Sequence, residues 1–404
     1  MLALGSPAFA RSHPGRATPA RSFGAAPFLI PMDAAQPEPL KAYGVVYRAL
    51  HAGGSADWLL NFRGGAFLVD HPAAFDESLA RGVMTEGPAG GTDEAGRDLA
   101  AALAGGEASA LRLEVAPEIA VYVPPFAAPW DDAVRLALEF AEIPYRTVWD
   151  REVLTEGFTG IDWLHLHHED FTAQYGKYGA SVRASEWYRE AVAQDREAAA
   201  DLGFAGAVEL KAAVASAIRA YVAGGGFLFA MCASTETLDL VLAGDPPDYG
   251  ATLAFTGFEI ERAPVGPFSS VDGHRVNTPQ RLPLDAVQLS RFAPAVDPVA
   301  AMLTQNHSLA FPDWYGLTTS FRSGALKPGV LVLATCAEGR LAKYVHGDHG
   351  EGTFTFLGGH DPEDYQHAVG DPPTDLAFHP RSPGYRLILN NVLFPAARQE
   401  ERKT

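Results

Sequence analysis

The chain has 404 residues, 47% of them hydrophobic and 20% charged, which is enough apolar material for one large domain or roughly two to three ordinary ones. Its 31 basic and 49 acidic side chains give a net charge of −18, and so acidic a surface repels phosphate backbones, which argues against a nucleic-acid partner. Two cysteines exclude a disulfide-rich scaffold, and no window approaches the roughly 20 apolar residues that span a bilayer, so we expect no transmembrane segment.

Residues 1–26 predict a disordered leader or a truncated signal peptide. Ala8, Phe9 and Ala10 form the small-x-small pattern after which signal peptidase cuts, but "MLALGSPAFA" lacks a basic start and a full apolar segment. Residues 11–26 are rich in Arg, Ser, Pro, Gly and Ala, a composition typical of a disordered tail. We favour a periplasmic or secreted location over a cytoplasmic one.

Residues 27–85 alternate short strands with helices, which predicts a small N-terminal α/β unit. "FLIPMD", "DWLLNF" and "GGAFLVD" are strand-like, whereas "PLKAYGVVYRALHAG" and "AAFDESLARGV" are helical. Residues 86–116 are rich in Gly, Ala and acids, so we interpret them as a linker that contains one helix, 93–105.

From residue 117 the pattern predicts a parallel sheet with helices on both faces. Apolar strands at 118–124, 160–170 and 226–232 are separated by helical segments such as 130–143, which begins with acidic residues. Repeated strand–helix–strand units of this length form parallel sheets with right-handed crossovers. The predicted fold class is therefore α/β.

An irregular insertion interrupts this domain. Residues 245–325 are rich in Pro, Gly and Asp and contain short strand-like pieces, so we expect antiparallel strands there. "GVLVLATC", "LAKYVHGDHGEGTFTFLGGHD" and the closing helix "GYRLILNNVLFPA" return to the sheet. The main domain is thus predicted to cover 117–244 and 326–398.

The stretch "FLFAMCASTETL" places Cys232 between an apolar strand and a helix. A sulfur at such a turn lies beside the positive end of a helix, which favours the thiolate and exposes it to a substrate. A nucleophile elbow usually has glycine two residues on either side, and here those positions hold Ala230 and Ser234. Cys232 is a candidate nucleophile, and a buried structural cysteine is the alternative.

A second constellation, "FLGGHDPEDYQH", offers a base and its acid. Two glycines after a strand expose His360, and Asp361 and Glu363 follow closely. A histidine that receives a thiol proton needs an orienting carboxylate, so these residues could complete a Cys-His-acid set with Cys232. The alternative is a solvated acidic loop whose histidine caps a helix.

The run "DWLHLHHEDF" concentrates histidines and acids at the end of a strand. Residues two apart share a face of a strand, so His165 and His167 project together, whereas His168 lies opposite or beyond the strand end. Zinc takes two or three histidines with a carboxylate, so a divalent metal is one interpretation and hydrogen-bonded structural histidines are another. We expect the cluster to line a substrate pocket, with these members: His165, His167, His168, Glu169 and Asp170.

The run "MLTQNHS" lies in the insertion and ends in polar residues. Asn306 and His307 are therefore candidate substrate-binding groups for a small molecule.

Several segments resemble a bacterial family usually labelled asparagine synthetase B-like. They include "FLIPMD", "DWLLNFRGGAFLV", "PWDDAVRLALEFAEIPY", "DWLHLHHEDFTAQYGKY", "YVAGGGFLFAMCAST", "MLTQNH" and "GGHDPEDYQHAVGDPPTDL", and the resemblance covers nearly everything from residue 28 onward. Members of that family typically begin with a secretory leader. The chain has neither a cysteine near its start nor the SGGxDS loop of true asparagine synthetase B enzymes, so we expect no ATP-dependent asparagine synthesis.

The chain is also similar to class I glutamine amidotransferase-like and ThuA-like proteins. That resemblance implies a flavodoxin-like domain, with Cys232 at the elbow and His360 as the late histidine. Amidotransferases place the acid two residues after this histidine, where this chain has Pro362 between Asp361 and Glu363. The implied activity is amide (C–N) hydrolysis or amidotransferase-like chemistry. The alternatives are a metal-dependent enzyme and a non-catalytic exported binding protein that uses the histidine cluster.

Overall fold

Two β-sheets organise the chain in the computed structural model. The structure describes residues 27–88, 94–125, 132–167, 169–173, 186–243, 258–259, 274–277, 282–283, 313–314, 318–322, 326, 329–335, 341–363 and 372–397. Within these residues, no helix combines the length and the apolar content needed to cross a bilayer.

The N-terminal sheet is antiparallel and has five described strands in the order β4-β1-β3-β2-β5. Its strands are β1 (Phe28–Ile30), β2 (Ser55–Leu60), β3 (Ala66–Asp70), β4 (Glu86–Pro88) and β5 (Ser109–Leu113). The helices of this unit are α1 (Pro39–His51), α2 (Pro72–Ala80) and α3 (Glu94–Ala104). Alternate strand residues enter two apolar clusters, so both faces of the sheet are buried: Phe67 packs in the cluster of α1, and Leu59 in that of Leu99 on α3.

Residues 86–116, which we expected to be a linker with one helix, contribute more than that. The helix is present as α3, but β4 pairs with β1 and β5 pairs with β2 along five residues. The segment therefore supplies both edge strands of the N-terminal sheet. Its Gly- and acid-rich composition is that of edge strands and turns, which resembles a linker in sequence.

Twelve further strands and six further helices follow among the described residues. The strands are β6 (Ile119–Tyr122), β7 (Arg146–Val148), β8 (Trp163–Leu166), β9 (Phe227–Met231), β10 (Phe258–Glu259), β11 (His274–Asn277), β12 (Leu282–Pro283), β13 (Asp313–Trp314), β14 (Thr318–Arg322), β15 (Leu331–Thr335), β16 (Leu341–His349) and β17 (Gly352–Leu357). The helices are α4 (Ala133–Ala141), α5 (Asp150–Thr155), α6 (Glu186–Asp201), α7 (Ala207–Ala223), α8 (Ser234–Ala243) and α9 (Pro383–Leu393).

Five of these strands form the parallel sheet, in the order β7-β6-β8-β9-β17. Numbered along the chain, the parallel strands are arranged 2-1-3-4-5, which is the flavodoxin-like order. The predicted α/β fold with a flavodoxin-like parallel sheet is confirmed.

The central parallel strands β6, β8 and β9 are largely apolar because both of their faces are covered. Val121, Trp163 and Phe229 enter one core with α4 and α9, whereas Leu164 and Leu228 enter the other with α5 and α7. Burial on both sides accounts for continuous apolar runs such as "FLFAM", which an alternating pattern would not produce.

An antiparallel extension continues the sheet beyond β17. There β16 pairs with β17, while β14 and β15 both pair with β16. The described strands of the insertion, β10 to β14, are all antiparallel, as expected from the sequence.

The N-terminal unit joins the main sheet through α1, which packs on α4 and α9. Gly44 makes this approach close, because a Cβ atom there would lie 1.7 Å from the carbonyl oxygen of Ala141 on α4. Arg386 of α9 also donates to the backbone carbonyls of Met32 and Gly64 in the N-terminal unit. Helix α4, which begins at Ala133, is thus packed against the N-terminal unit.

Candidate metal centre

Three buried side chains converge where the parallel strands end. In the 2-1-3-4-5 order the switch point lies between β6 and β8, and open α/β sheets bind ligands outside the carboxyl ends of the strands at such a point. Asp132 precedes α4 in the connection after β6, while His165 and His167 lie at the end of β8. All three side chains are at most 2% exposed.

The ring of His165 has one nitrogen held by the neighbouring strand. Its Nδ1 is 3.0 Å from the carbonyl oxygen of Phe229 on β9. A carbonyl only accepts hydrogen bonds, so Nδ1 carries the proton and a neutral ring leaves the lone pair of Nε2 available. Metal-binding histidines almost always have this outer hydrogen bond, which sets both the tautomer and the ring orientation.

Asp132 is held as an anion at the start of α4. Its Oδ1 accepts from the backbone N–H of Val134 at 2.8 Å and of Arg135 at 3.2 Å, as an N-cap side chain does. Burial raises the pKa of Asp132, but the two neighbouring histidines outweigh that effect and hold the pKa well below its ordinary value. The carboxylate therefore offers a fixed negative charge to the centre.

The three ligand atoms form a nearly equilateral triangle. Asp132 Oδ1 is 3.3 Å from His165 Nε2 and 3.3 Å from His167 Nδ1, and the two nitrogens are 3.4 Å apart. A tetrahedral site with metal–ligand bonds of about 2.05 Å has edges of about 3.35 Å. The buried Asp-His-His group therefore has the spacing of a site that could hold a metal ion.

One oxygen of Asp132 faces His165 and the other has no hydrogen-bond partner. With Nδ1 of His165 directed to the Phe229 carbonyl, its Nε2 faces Asp132 Oδ1 at 3.3 Å, a spacing that suits either a proton or a metal ion between the two atoms. The second carboxylate oxygen of Asp132, Oδ2, is buried and has no hydrogen-bond partner among the described residues. Buried polar atoms are rarely left in that state without a ligand or an ordered water.

His360 borders the centre without joining the ligand triangle. It follows β17 and Gly359, it is buried, and its ring packs edge-to-face on His167 with 4.5 Å between centroids. Among the described residues, the ligand atoms that lie mutually within 4.8 Å come from Asp132, His165 and His167. His360 therefore lies beside the Asp-His-His group and is not a member of it.

Cys232 occupies the turn predicted for it. It lies between β9 and α8 with a φ of 49°, a left-handed conformation that is uncommon for a residue other than glycine. Its backbone N–H is 3.0 Å from the carbonyl of Gly359 and 3.2 Å from that of Leu357. This strained strand-to-helix turn has the backbone geometry of a nucleophile elbow. The two hydrogen bonds hold the loop that contains His360 beside Cys232.

The acids predicted to orient His360 have other contacts in the structure. Asp361 accepts from the hydroxyl of Tyr385 at 2.7 Å and of Thr374 at 3.2 Å, and Glu363 lies 3.2 Å from His379. The Tyr385 contact anchors the loop to α9, the other two contacts join it to the segment that precedes α9, and the orienting role of either acid stays a prediction.

The other predicted pocket residues are distributed as follows. Glu169 Oε2 accepts from the backbone N–H of His167 at 2.9 Å, while Asp170 accepts from the backbone N–H of Thr172, also at 2.9 Å. His165 and His167 share a face, as the two-residue period of a strand predicts. Three predicted residues lie outside the described part of the chain: His168, Asn306 and His307.

Asp132 is the residue of the candidate centre that the sequence reasoning missed. The run "WDDAVRLALEF" begins with acids, which we used only to recognise the start of a helix. Only the neighbouring placement of β6 and β8 brings this residue to His165, more than 30 positions away along the chain. An acid at the N-cap of the helix after the first parallel strand was the available signal.

No family model and no curated protein matches this chain. Two solved cytoplasmic proteins from Salmonella typhimurium are similar to it, at 12% and 15% identity, each covering 70% of this chain and 100% of its own, with TM-scores of 0.36. The β-galactosidase from Rahnella sp. R3 is 12% identical over 83% of this chain and 47% of its own, with a TM-score of 0.31. Similarities of this size assign neither a family nor an activity.

Proposed function

We propose that the chain is a metal-dependent hydrolase whose zinc ion is held by Asp132, His165 and His167. The observation that carries the proposal is the triangle of ligand atoms, with edges of 3.3 to 3.4 Å at the switch point of the sheet. Two histidines and one carboxylate are a known ligand set of catalytic zinc, in which the fourth position stays open for water or substrate.

The ligand types also bear on the choice of metal. Two histidines and one carboxylate suit zinc, and the same set binds iron(II) in other proteins. Calcium and magnesium prefer oxygen ligands, so two imidazole nitrogens disfavour both.

When bound, zinc lowers the pKa of a coordinated water and polarises a carbonyl group. The residues of the chain supply the rest of the chemistry. Asp132 would neutralise part of the charge of the ion, the Phe229 carbonyl holds the Nδ1 side of His165, and His360, whose ring packs on His167, would contact the substrate. The resemblance to amidotransferase-like proteins favours a small substrate with a C–N bond.

A Cys-dependent C–N hydrolase is the second candidate function. The left-handed φ of 49° at Cys232 favours it, because strain of this kind at a strand-to-helix turn is typical of nucleophile elbows. In this mechanism the thiol of Cys232 would attack the substrate carbonyl while His360 accepts the thiol proton and passes it to the amine as the C–N bond breaks. Water would then hydrolyse the thioester and restore the thiol.

Metal analysis tests the first candidate. Untagged protein, reconstituted with zinc and desalted, is expected to contain about one zinc ion per chain, and X-ray absorption should show N/O ligands at about 2.05 Å. His165→Ala and His167→Ala are expected to lose the metal, whereas His51→Ala, an exposed histidine at the end of α1, keeps it. Zinc that stays far below one equivalent after reconstitution contradicts the proposal.

Chemical modification separates the two candidates. Loss of C–N hydrolysis on chelation, with activity retained in Cys232→Ser, supports the metal-dependent enzyme. Selective alkylation of Cys232 by iodoacetamide with loss of turnover, in metal-depleted protein, supports the cysteine mechanism. Stoichiometric zinc without turnover on amides identifies the binding-protein alternative. Export stays part of the proposal, and N-terminal sequencing of protein recovered outside the cytoplasm tests it.

A further inference from the structure

The two histidine ligands are held by different means. His165 lies within β8, opposite Phe229 of β9, and its ring is fixed by the Phe229 carbonyl. His167 is the residue after β8 ends at Leu166, so the strand ladder does not hold it. Some other contact must place its Nδ1 at 3.3 Å from Asp132.

Glu169 and Ser234 supply that contact through the main chain of His167. The backbone N–H of His167 donates to Glu169 Oε2 at 2.9 Å, and its carbonyl accepts from the backbone N–H of Ser234 at 3.1 Å. The backbone N–H of His167 is thus bonded to Glu169 and its backbone carbonyl to Ser234. The hydroxyl of Ser234 lies 3.1 Å from the same carboxylate oxygen and so links the two partners.

Burial makes this link strong. Ser234 is fully buried and Glu169 is 8% exposed, so their hydrogen bonds form away from water and involve a charged acceptor. Glu169 is not a member of the ligand triangle. Its Oε2 is engaged by His167 and Ser234, which gives that oxygen a supporting role, and the predicted substrate-binding role of Glu169 stays a prediction.

We infer that Glu169 and Ser234 are positioning residues that set His167 for metal binding, an inference that rests on the proposed zinc site. Ser234 is the first residue of α8, directly after the Cys232 turn. The pair therefore joins His167, the residue after β8, to the helix that follows β9. Outer partners of this kind typically contribute about 10- to 100-fold to metal affinity.

Thr237 provides a matched control on the same helix. It is also buried, it donates to the backbone carbonyl of Glu169 at 2.9 Å, and it accepts from the backbone N–H of Phe171 at 3.3 Å. It thus holds the same segment to the same helix without touching His167 or the carboxylate of Glu169. Removing the Thr237 hydroxyl therefore measures how much general anchoring of this segment contributes to zinc affinity.

The experiment measures zinc affinity by competition with a chromophoric chelator at fixed pH, and the visible spectrum of the cobalt(II)-substituted protein. Ser234→Ala and Glu169→Ala are expected to weaken zinc binding roughly tenfold or more and to alter the cobalt spectrum. Thr237→Val is expected to bind zinc like wild type. Glu169→Gln, which keeps an oxygen acceptor, is expected to retain the cobalt spectrum and to recover part of the affinity.

Each outcome has one meaning. Wild-type affinity in Ser234→Ala and Glu169→Ala overturns the inference while the zinc site stands. An equal loss in Thr237→Val also overturns it, because the effect is then general anchoring. Wild-type protein that binds no zinc overturns the proposed function and the inference with it. If Glu169→Ala does not fold, Ser234→Ala and Glu169→Gln decide the matter.

Discussion

Acidification is expected to destabilise this protein partly because one buried histidine, His346, resists protonation. The substitution His346→Gln is expected to remove this contribution to the pH dependence of stability. His346 lies on β16, is 2% exposed, and has its Nδ1 2.8 Å from the hydroxyl of Thr355, with its ring stacked on Phe227. Burial lowers the pKa of His346 to about 3, and a backbone hydrogen bond at Phe354 opposes that shift only in part.

The sign and size of the effect follow from the two pKa values. In the unfolded chain a histidine has a pKa of about 6.5, so as the pH falls the unfolded state takes up the proton first. The free energy of unfolding is therefore unaffected above about pH 6.5 and falls progressively between about pH 6.5 and pH 3. Between pH 7 and pH 5 this single group accounts for a loss of about 2 kcal/mol.

Urea unfolding at pH 7 and pH 5 measures that loss in wild type, in His346→Gln and in the exposed control His51→Gln. The glutamine variant loses ring packing, which lowers its stability at both pH values, so the comparison uses the difference between the two pH values. We expect His346→Gln to be about 2 kcal/mol less sensitive to pH than wild type, and His51→Gln to behave like wild type. Equal losses in wild type and His346→Gln, within roughly 0.5 kcal/mol, refute the reasoning.

Three other perturbations give distinct expectations. Gly44→Ala forces a Cβ atom against the Ala141 carbonyl, so we expect a loss of roughly 1–3 kcal/mol by calorimetry together with weaker zinc binding, because α4 carries Asp132. Lys211→Met leaves Asp150, whose Oδ2 lies 2.8 Å from the Lys211 amine, as an uncompensated buried charge; denaturation should show a loss of about 3–5 kcal/mol, and an unchanged midpoint contradicts this. Cys232→Val is expected to be less stable than Cys232→Ser by about 1 kcal/mol or more, because a β-branched residue tolerates a φ of 49° poorly, and equal melting temperatures contradict the strain argument.

Local sequence patterns were sufficient to predict the parallel sheet and part of the candidate site. The runs that became β6, β8 and β9 are apolar because both sheet faces are covered, so length and flanking residues identified them as strands. The Cys232 turn was visible because a strand meets a helix without a loop. The shared face of His165 and His167 follows from the two-residue period of a strand.

Features that depend on the order of the strands in the sheet could not be predicted from local sequence patterns. Asp132 becomes a ligand because β6 pairs with β8, and pairing between separate segments leaves no trace in the local pattern of either one. The edge strands β4 and β5 were missed for a related reason, since they are short and polar and their pairing partners lie elsewhere in the chain. The contacts of Asp361 with Tyr385 likewise depend on where α9 docks.

The position of β17 in the chain has a consequence for folding. This strand pairs with β9, yet it is made about 120 residues later, after the whole insertion. Until it emerges from the ribosome, β9 is an open sheet edge, and the backbone N–H of Cys232 lacks its acceptors at Leu357 and Gly359. The neighbourhood of His167 and Cys232 is therefore completed by one of the last strands to be synthesised. A chain cut before Gly352 keeps the three residues of the proposed zinc site but lacks His360, which packs on His167.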